Sequence, residues 1–150
     1  MAEIRVLAPI DGTVVELENV PDEVFAQKMA GDGVAIDPSG NTAVAPVSGT
    51  LVKLFDTGHA FGMATGEGAE LIVHIGIDTV ELEGEGFSKI ATEGQQVQAG
   101  TPVVTFDRAT IERNGKAAVC PIVSSGVGKV IYRASGTVRA GKDVLFILEV

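Results

Sequence analysis

The chain has 150 residues, 45% of them apolar, with 19 glycines, one cysteine and two histidines. That length and apolar share support a core that needs no disulfide or metal; with no signal-like N-terminus and no apolar run near ~18 residues, secretion and membrane insertion are not expected. The net charge of −9 weighs against nucleic acid and anionic membrane surfaces as partners.

From the N-terminus, the first recurring unit is Ala8-Pro-Ile-Asp-Gly-Thr-Val-Val-Glu-Leu17, a Pro/Gly turn feeding an apolar strand. Pro21–Met29 reads as one or two helical turns, stopped by Gly31-Asp-Gly33. The first unit then returns as Ala45-Pro-Val-Ser-Gly-Thr-Leu-Val-Lys-Leu54. A glycine-centred hairpin is expected over residues 55–78, with its turn at Gly66 and Glu67. A second unit, Val97-Gln-Ala-Gly100-Thr-Pro-Val-Val-Thr-Phe106, recurs as Val138-Arg-Ala-Gly141-Lys-Asp-Val-Leu-Phe-Ile147. Between these copies, Asp107–Asn114 predicts a short helix capped by Asp107 and stopped by Gly115, and Cys120 sits in an apolar run as a buried small hydrophobe. Many short β-branched runs and little helical periodicity point to an all-β fold. The expected architecture is a compact antiparallel β-sandwich or flattened barrel, built from duplicated hairpin motifs with one or two short helical turns. No linker or low-complexity stretch divides residues 1–150, which read as a single domain. The lone cysteine fits a reducing cytoplasm.

The two histidines, His59 and His74, fall on opposite arms of the predicted hairpin. With a two-residue turn, opposed residue numbers sum to 133, placing His59 against His74 and Phe61 against Ile72 on one face. Acidic residues crowd this part of the chain: residues 1–100 hold 16 acidic and 4 basic side chains, residues 101–150 hold 4 and 7. That excess suits either a solvated acidic rim or a docking surface for a basic partner. Paired imidazoles admit three readings: structural polar groups at a strand end, ligands of a zinc hydrolase, or a phosphohistidine site. The zinc reading needs a third protein ligand. In the phosphohistidine reading one ring attacks phosphorus, the other donates to its oxygens, and Thr57 fixes the second ring's tautomer. There is no Gly-x-x-x-x-Gly-Lys loop, so the phosphoryl group would arrive already activated on another protein. A biotinyl or lipoyl carrier, suggested by the Ala-Pro-x-x-Gly-Thr turns, lacks its modifiable lysine at a hairpin tip.

Four blocks carry a family resemblance: Gly31-Asp-Gly-Val-Ala-Ile36, Ala45-Pro-Val-Ser-Gly49, Thr57-Gly-His-Ala-Phe61, and Leu71-Ile-Val-His-Ile-Gly-Ile-Asp-Thr-Val-Glu-Leu-Glu-Gly-Glu-Gly-Phe87. They resemble the glucose-type enzyme IIA of the bacterial phosphoenolpyruvate-dependent sugar phosphotransferase system, over most of residues 4–110 and more weakly beyond. The resemblance implies a cytoplasmic phosphocarrier. His74 is its phosphorylated nucleophile, bonded through Nε2, His59 the phosphoryl stabiliser, and Thr57 the residue orienting His59. Phosphate is expected from the histidine carrier HPr and passes to the IIB domain of a glucose- or N-acetylglucosamine-type permease. Regulatory binding to permeases or kinases is a further expectation. Asp22 and Asp78 match an acidic rim, and Val24, Phe25, Met29, Ala30, Phe55, Ile72 and Val80 an apolar docking ring. Gly58 and Ile72 stand where the family pattern has asparagine and phenylalanine. The resemblance implies no required cofactor, although His59 and His74 could share an intermolecular zinc, and a monomer is expected. A zinc-dependent hydrolase of related fold, using His59 and His74 as ligands, is the alternative.

Overall fold

The computed structural model describes residues 2–150. Fourteen strands and two short helices follow in this order among them. The first half holds β1 (Glu3–Leu7), β2 (Gly12–Val15), α1 (Glu23–Ala26), β3 (Asp32–Pro38), β4 (Thr42–Val44), β5 (Gly49–Leu54), β6 (Ala60–Ala64) and β7 (Glu70–His74). The second holds β8 (Phe87–Lys89), β9 (Gln96–Val97), β10 (Pro102–Phe106), α2 (Arg108–Arg113), β11 (Cys120–Ser124), β12 (Lys129–Arg133), β13 (Thr137–Val138) and β14 (Val144–Glu149). Single 3-10 turns occupy Leu17–Asn19 and Thr79–Leu82.

One large sheet runs β13-β2-β3-β11-β7-β6-β5-β9, and two three-stranded sheets run β1-β14-β12 and β4-β10-β8. Every pairing is antiparallel. The sheets form a sandwich; among the described residues none closes into a barrel. Between them lies a core that includes Val6, Ile36, Leu51, Phe61, Ile122 and Phe146.

The sequence echoes account for this layout. Gly12 opens β2 and pairs with Val138; its echo Gly49 opens β5 and pairs with Val97, the echo of Val138. The turn chemistry repeats as well. Asp11 Oδ1 accepts from Ala140 N at 2.7 Å, while Ser48 Oγ accepts from Ala99 N at 2.9 Å. Gly141 N donates to Ala8 O and Gly100 N to Ala45 O, both at 2.8 Å. A Cβ on Gly12 would lie 2.2 Å from Asp37 O, and one on Gly49 2.1 Å from Ala64 O. Only glycine fits such close backbone approach.

The helices are as short as the sequence suggests. Asp22 caps α1 by accepting from Val24 N at 2.9 Å, and Asp107 caps α2 by accepting from Ala109 N at 3.1 Å. α1 stops earlier than the reading of residues 21–29, because Lys28 already turns left-handed at φ 61°. Cys120 is fully buried, and burial pushes its thiol up to about 12 against a backbone hydrogen bond from Gly76; it is inert core.

Candidate functional site

The site gathers where three connections meet the large sheet: the α1 excursion between β2 and β3, the turn between β5 and β6, and the end of β7. The β6–β7 hairpin corrects the expected register. Ala60 opposes His74, Phe61 opposes Val73 and Gly62 opposes Ile72, so opposed numbers sum to 134. The cause is the loop length. Gly66-Glu67-Gly68 is a three-residue loop, with Gly68 left-handed at φ 91°, rather than the two-residue turn the expectation assumed. Phe61 consequently points into the core at 1% exposure and does not share a face with Ile72.

The histidines meet in spite of that shift. His59 precedes β6, in an irregular turn closed by Gly58 N donating to Phe55 O at 2.8 Å, and so escapes the alternation of the pleat. Gly58 adopts φ 74° there, a conformation that glycine and asparagine both tolerate. The backbone then ties the residues together, Ile75 N donating to His59 O at 2.7 Å. The two imidazole centroids lie 5.2 Å apart at 77°. Aromatic neighbours extend the row: Phe25 sits 5.3 Å from His74 and Phe55 5.1 Å from His59.

Each ring is held at Nδ1. His74 Nδ1 lies 2.7 Å from the carbonyl oxygen of Gly76. A carbonyl only accepts, so the nitrogen must donate; the neutral ring then carries its proton on Nδ1 and a lone pair on Nε2. Thr57 Oγ1 is hydrogen-bonded to His59 Nδ1. Burial at 4% exposure, followed by the charge of His74, lowers His59 to about 4. His74 is lowered too, chiefly by burial, while the Gly76 carbonyl, Asp22 and Asp78 push the other way. Both rings are therefore neutral at pH 7.

A groove of about 410 Å³ opens over the pair. Of the residues expected in the apolar ring, Phe25, Ala30, Phe55 and Ile72 line it beside His59 and His74. Val24, Met29 and Val80 do not line it and are exposed apolar side chains, Met29 at 70%. Asp22 is half-buried and Asp78 exposed, both near enough to His74 to act on its charge. Gly76 is the functional residue the sequence reading missed. Its contribution is a backbone oxygen, and the only trace of it in the sequence is a glycine two places after His74. Among the described residues no cluster of three His, Cys, Asp or Glu could hold a metal, so the zinc-hydrolase alternative lacks its third ligand. Nor is any helix there long and apolar enough to cross a membrane.

Known proteins resemble this chain in sequence and in fold. Residues 4–130 match the family described as "phosphoenolpyruvate-dependent sugar phosphotransferase system, EIIA 1", past the point near residue 110 where the resemblance was expected to fade. A "PTS system glucose-specific EIIA component" of Haemophilus influenzae is 50% identical over 149 residues, 98% of this chain and 90% of that protein. A "PTS system N-acetylglucosamine-specific EIICBA component" of Escherichia coli is 44% identical over 145 residues, 95% of this chain but 22% of that longer protein. The solved structure of "glucose permease IIA from Mycoplasma capricolum" superposes with a TM-score of 0.95 at 42% identity, covering 99% of this chain and 97% of that one.

Proposed function

This chain belongs to the EIIA 1 family of the phosphoenolpyruvate-dependent sugar phosphotransferase system, and we propose that Nε2 of His74 is the atom that carries its phosphoryl group. The chain is a cytoplasmic phosphocarrier of that system and works through a phosphohistidine. The residue roles follow from the site's hydrogen bonds. His74 Nε2 presents its lone pair to the phosphorus of a donor phosphohistidine. A new N–P bond forms as the donor's N–P bond breaks, and the donor imidazole leaves with that electron pair. His74 keeps its proton on Nδ1, and the Gly76 carbonyl stabilises the positive charge that the ring gains. Exchange between two imidazoles is nearly isoenergetic, so positioning and charge stabilisation are what the protein must supply.

His59 holds the cargo. With the Thr57 hydroxyl donating to Nδ1, its proton sits on Nε2 and points a donor at the phosphoryl oxygens. Its low basicity keeps it neutral, a donor that does not itself become an acid. The groove over the pair, with Phe25, Phe55 and Ile72 inside and the charges of Asp22 and Asp78 acting on His74, suits convex basic partners that exclude water from the phosphoramidate. HPr as donor and a permease IIB domain as acceptor fit that description. The same surface would serve regulatory targets such as permeases or kinases. The relatives are named for two sugars at 50% and 44% identity, which fits a face that meets proteins and leaves sugar choice to the permease. Residues 1–150 would act as one domain and as a monomer, and a shared zinc would take its further ligands from a partner.

The observation that carries this reading is the Nδ1 bond from His74 to Gly76, made beside a second neutral imidazole. It is tested by mixing the chain with phosphoenolpyruvate, enzyme I and HPr, then weighing the intact protein. One acid-labile phosphoryl is expected on the wild type and none on His74→Ala. A His74→Ala protein that still takes up phosphate overturns the assignment.

A further inference from the structure

The two peptide groups flanking Gly76 decide where its carbonyl points. The Ile75–Gly76 peptide is pinned through its oxygen, with Thr79 Oγ1 donating to Ile75 O at 2.5 Å. The Gly76–Ile77 peptide is pinned through its nitrogen, with Ile77 N donating to Ala117 O at 2.9 Å. In a planar trans peptide the N–H and C=O point in opposite directions. Fixing Ile77 N–H on Ala117 therefore turns Gly76 O away from Ala117, toward His74 Nδ1. The joint between the peptides is Gly76 itself, at φ 74°. A Cβ there would lie 2.6 Å from Thr79 Cγ2 and 3.0 Å from Ala117 O, so the threonine methyl packs against the bare Cα. Thr79 has no exposed surface. It can meet neither phosphoryl group nor partner.

We infer that Thr79 is a positioning residue for phosphoryl transfer: its hydroxyl on Ile75 O and its methyl on Gly76 hold the carbonyl that keeps the His74 proton on Nδ1. Without the hydroxyl, a buried carbonyl loses its donor and the 75–79 turn relaxes to find another. The Gly76 oxygen then leaves the His74 ring, and part of the population moves its proton to Nε2, where no lone pair remains for attack. Thr79 acts on the reaction only through that tautomer. The inference rests on His74 being the carrier, and its test separates the two.

With only two histidines, protein labelled with 15N-histidine gives a ring spectrum in which each tautomer can be read directly. The wild type is expected to show His74 protonated on Nδ1. Thr79→Val keeps the shape and removes the hydroxyl; it is expected to shift His74 toward the Nε2-protonated tautomer and to slow uptake from phospho-HPr about tenfold. Thr79→Ser restores the hydroxyl and is expected to recover both. A folded Thr79→Val with the wild-type tautomer and rate overturns the inference while leaving His74 as carrier. A wild type already protonated on Nε2 overturns the carrier reading. Should Thr79→Val not fold, Thr79→Ala takes its place, since it removes the hydroxyl from Ile75 O and the methyl from Gly76 together: a shifted tautomer supports the inference and an unchanged one overturns it.

Discussion

The two copies of the Ala-Pro-x-x-Gly-Thr unit begin alike and then diverge. Both open a strand on a glycine pressed against a neighbouring carbonyl, and both pair that strand with a copy of the second unit. After β2 the chain wanders for sixteen residues, through a 3-10 turn and α1, before returning as β3. After β5 it returns in five, as the turn Phe55–His59. In each case the outgoing and returning strands are antiparallel neighbours. The repeat builds the scaffold, and the chemistry sits where the repeat fails. The long connection supplies Phe25 and Ala30 to the groove and Asp22 to the charge at His74; the short one supplies Phe55 and His59 to the groove and Thr57 to the His59 ring.

That division predicts which changes damage the frame and which damage only the relay. The largest effect falls on the short connection. His59→Ala removes the donor held over the phosphoryl group. Uptake on His74 should survive, while onward transfer falls by about a thousandfold in single-turnover assays with a IIB acceptor. Equal losses in uptake and transfer would contradict a stabilising role for His59.

The two scaffold glycines come next. Gly12→Ala and Gly49→Ala each drive a Cβ into backbone oxygen at 2.2 and 2.1 Å. Each should cost about 3 kcal/mol in urea unfolding, nearly equally, because the repeat places them alike. The surviving folded fraction should still take up phosphate. A large inequality between the pair would mean the copies are not equivalent in energy.

Acid should act on the connection rather than the repeat. The unfolded His59 ring protonates near 6.5, whereas the folded one resists until about 4. The contribution is full above pH 6.5 and is lost as pH falls, because the unfolded state then binds the extra proton. The loss reaches up to about 3 kcal/mol by pH 4. Comparing Tm of wild type and His59→Gln between pH 7 and 4.5 isolates this from the carboxylates, and parallel curves would contradict it. The smallest effect belongs to the hairpin tip. Gly66 has open space around its Cβ position and no left-handed φ, so Gly66→Ala should change stability by less than about 0.5 kcal/mol.

Much of the frame was legible in the chain. The echoes predicted duplicated β hairpins because Pro and Gly dictate turns locally, and the cap of α2 was readable from Asp107, whereas the Asp22 cap of α1 was not read. The register was misjudged by one residue, since Gly66-Glu67-Gly68 suits a two- or a three-residue loop equally and only the folded backbone decides. His59 still met His74 because it lies outside the strand, where pleat alternation has no hold. The docking ring was only half resolved: Phe25 and Phe55 line the groove, whereas Met29 and Val80 are exposed apolar side chains outside its lining. Gly76 and Thr79 were invisible as site residues, because one acts through a backbone oxygen and the other through a buried turn.

The central claim concerns which nitrogen carries phosphorus. Phosphorylating 15N-histidine-labelled protein and recording long-range 1H–15N and 31P spectra reads it directly. A single phosphohistidine at His74, bonded through Nε2 with Nδ1 still protonated, is the predicted result. Phosphorus on Nδ1 of His74, or on either nitrogen of His59, would contradict it.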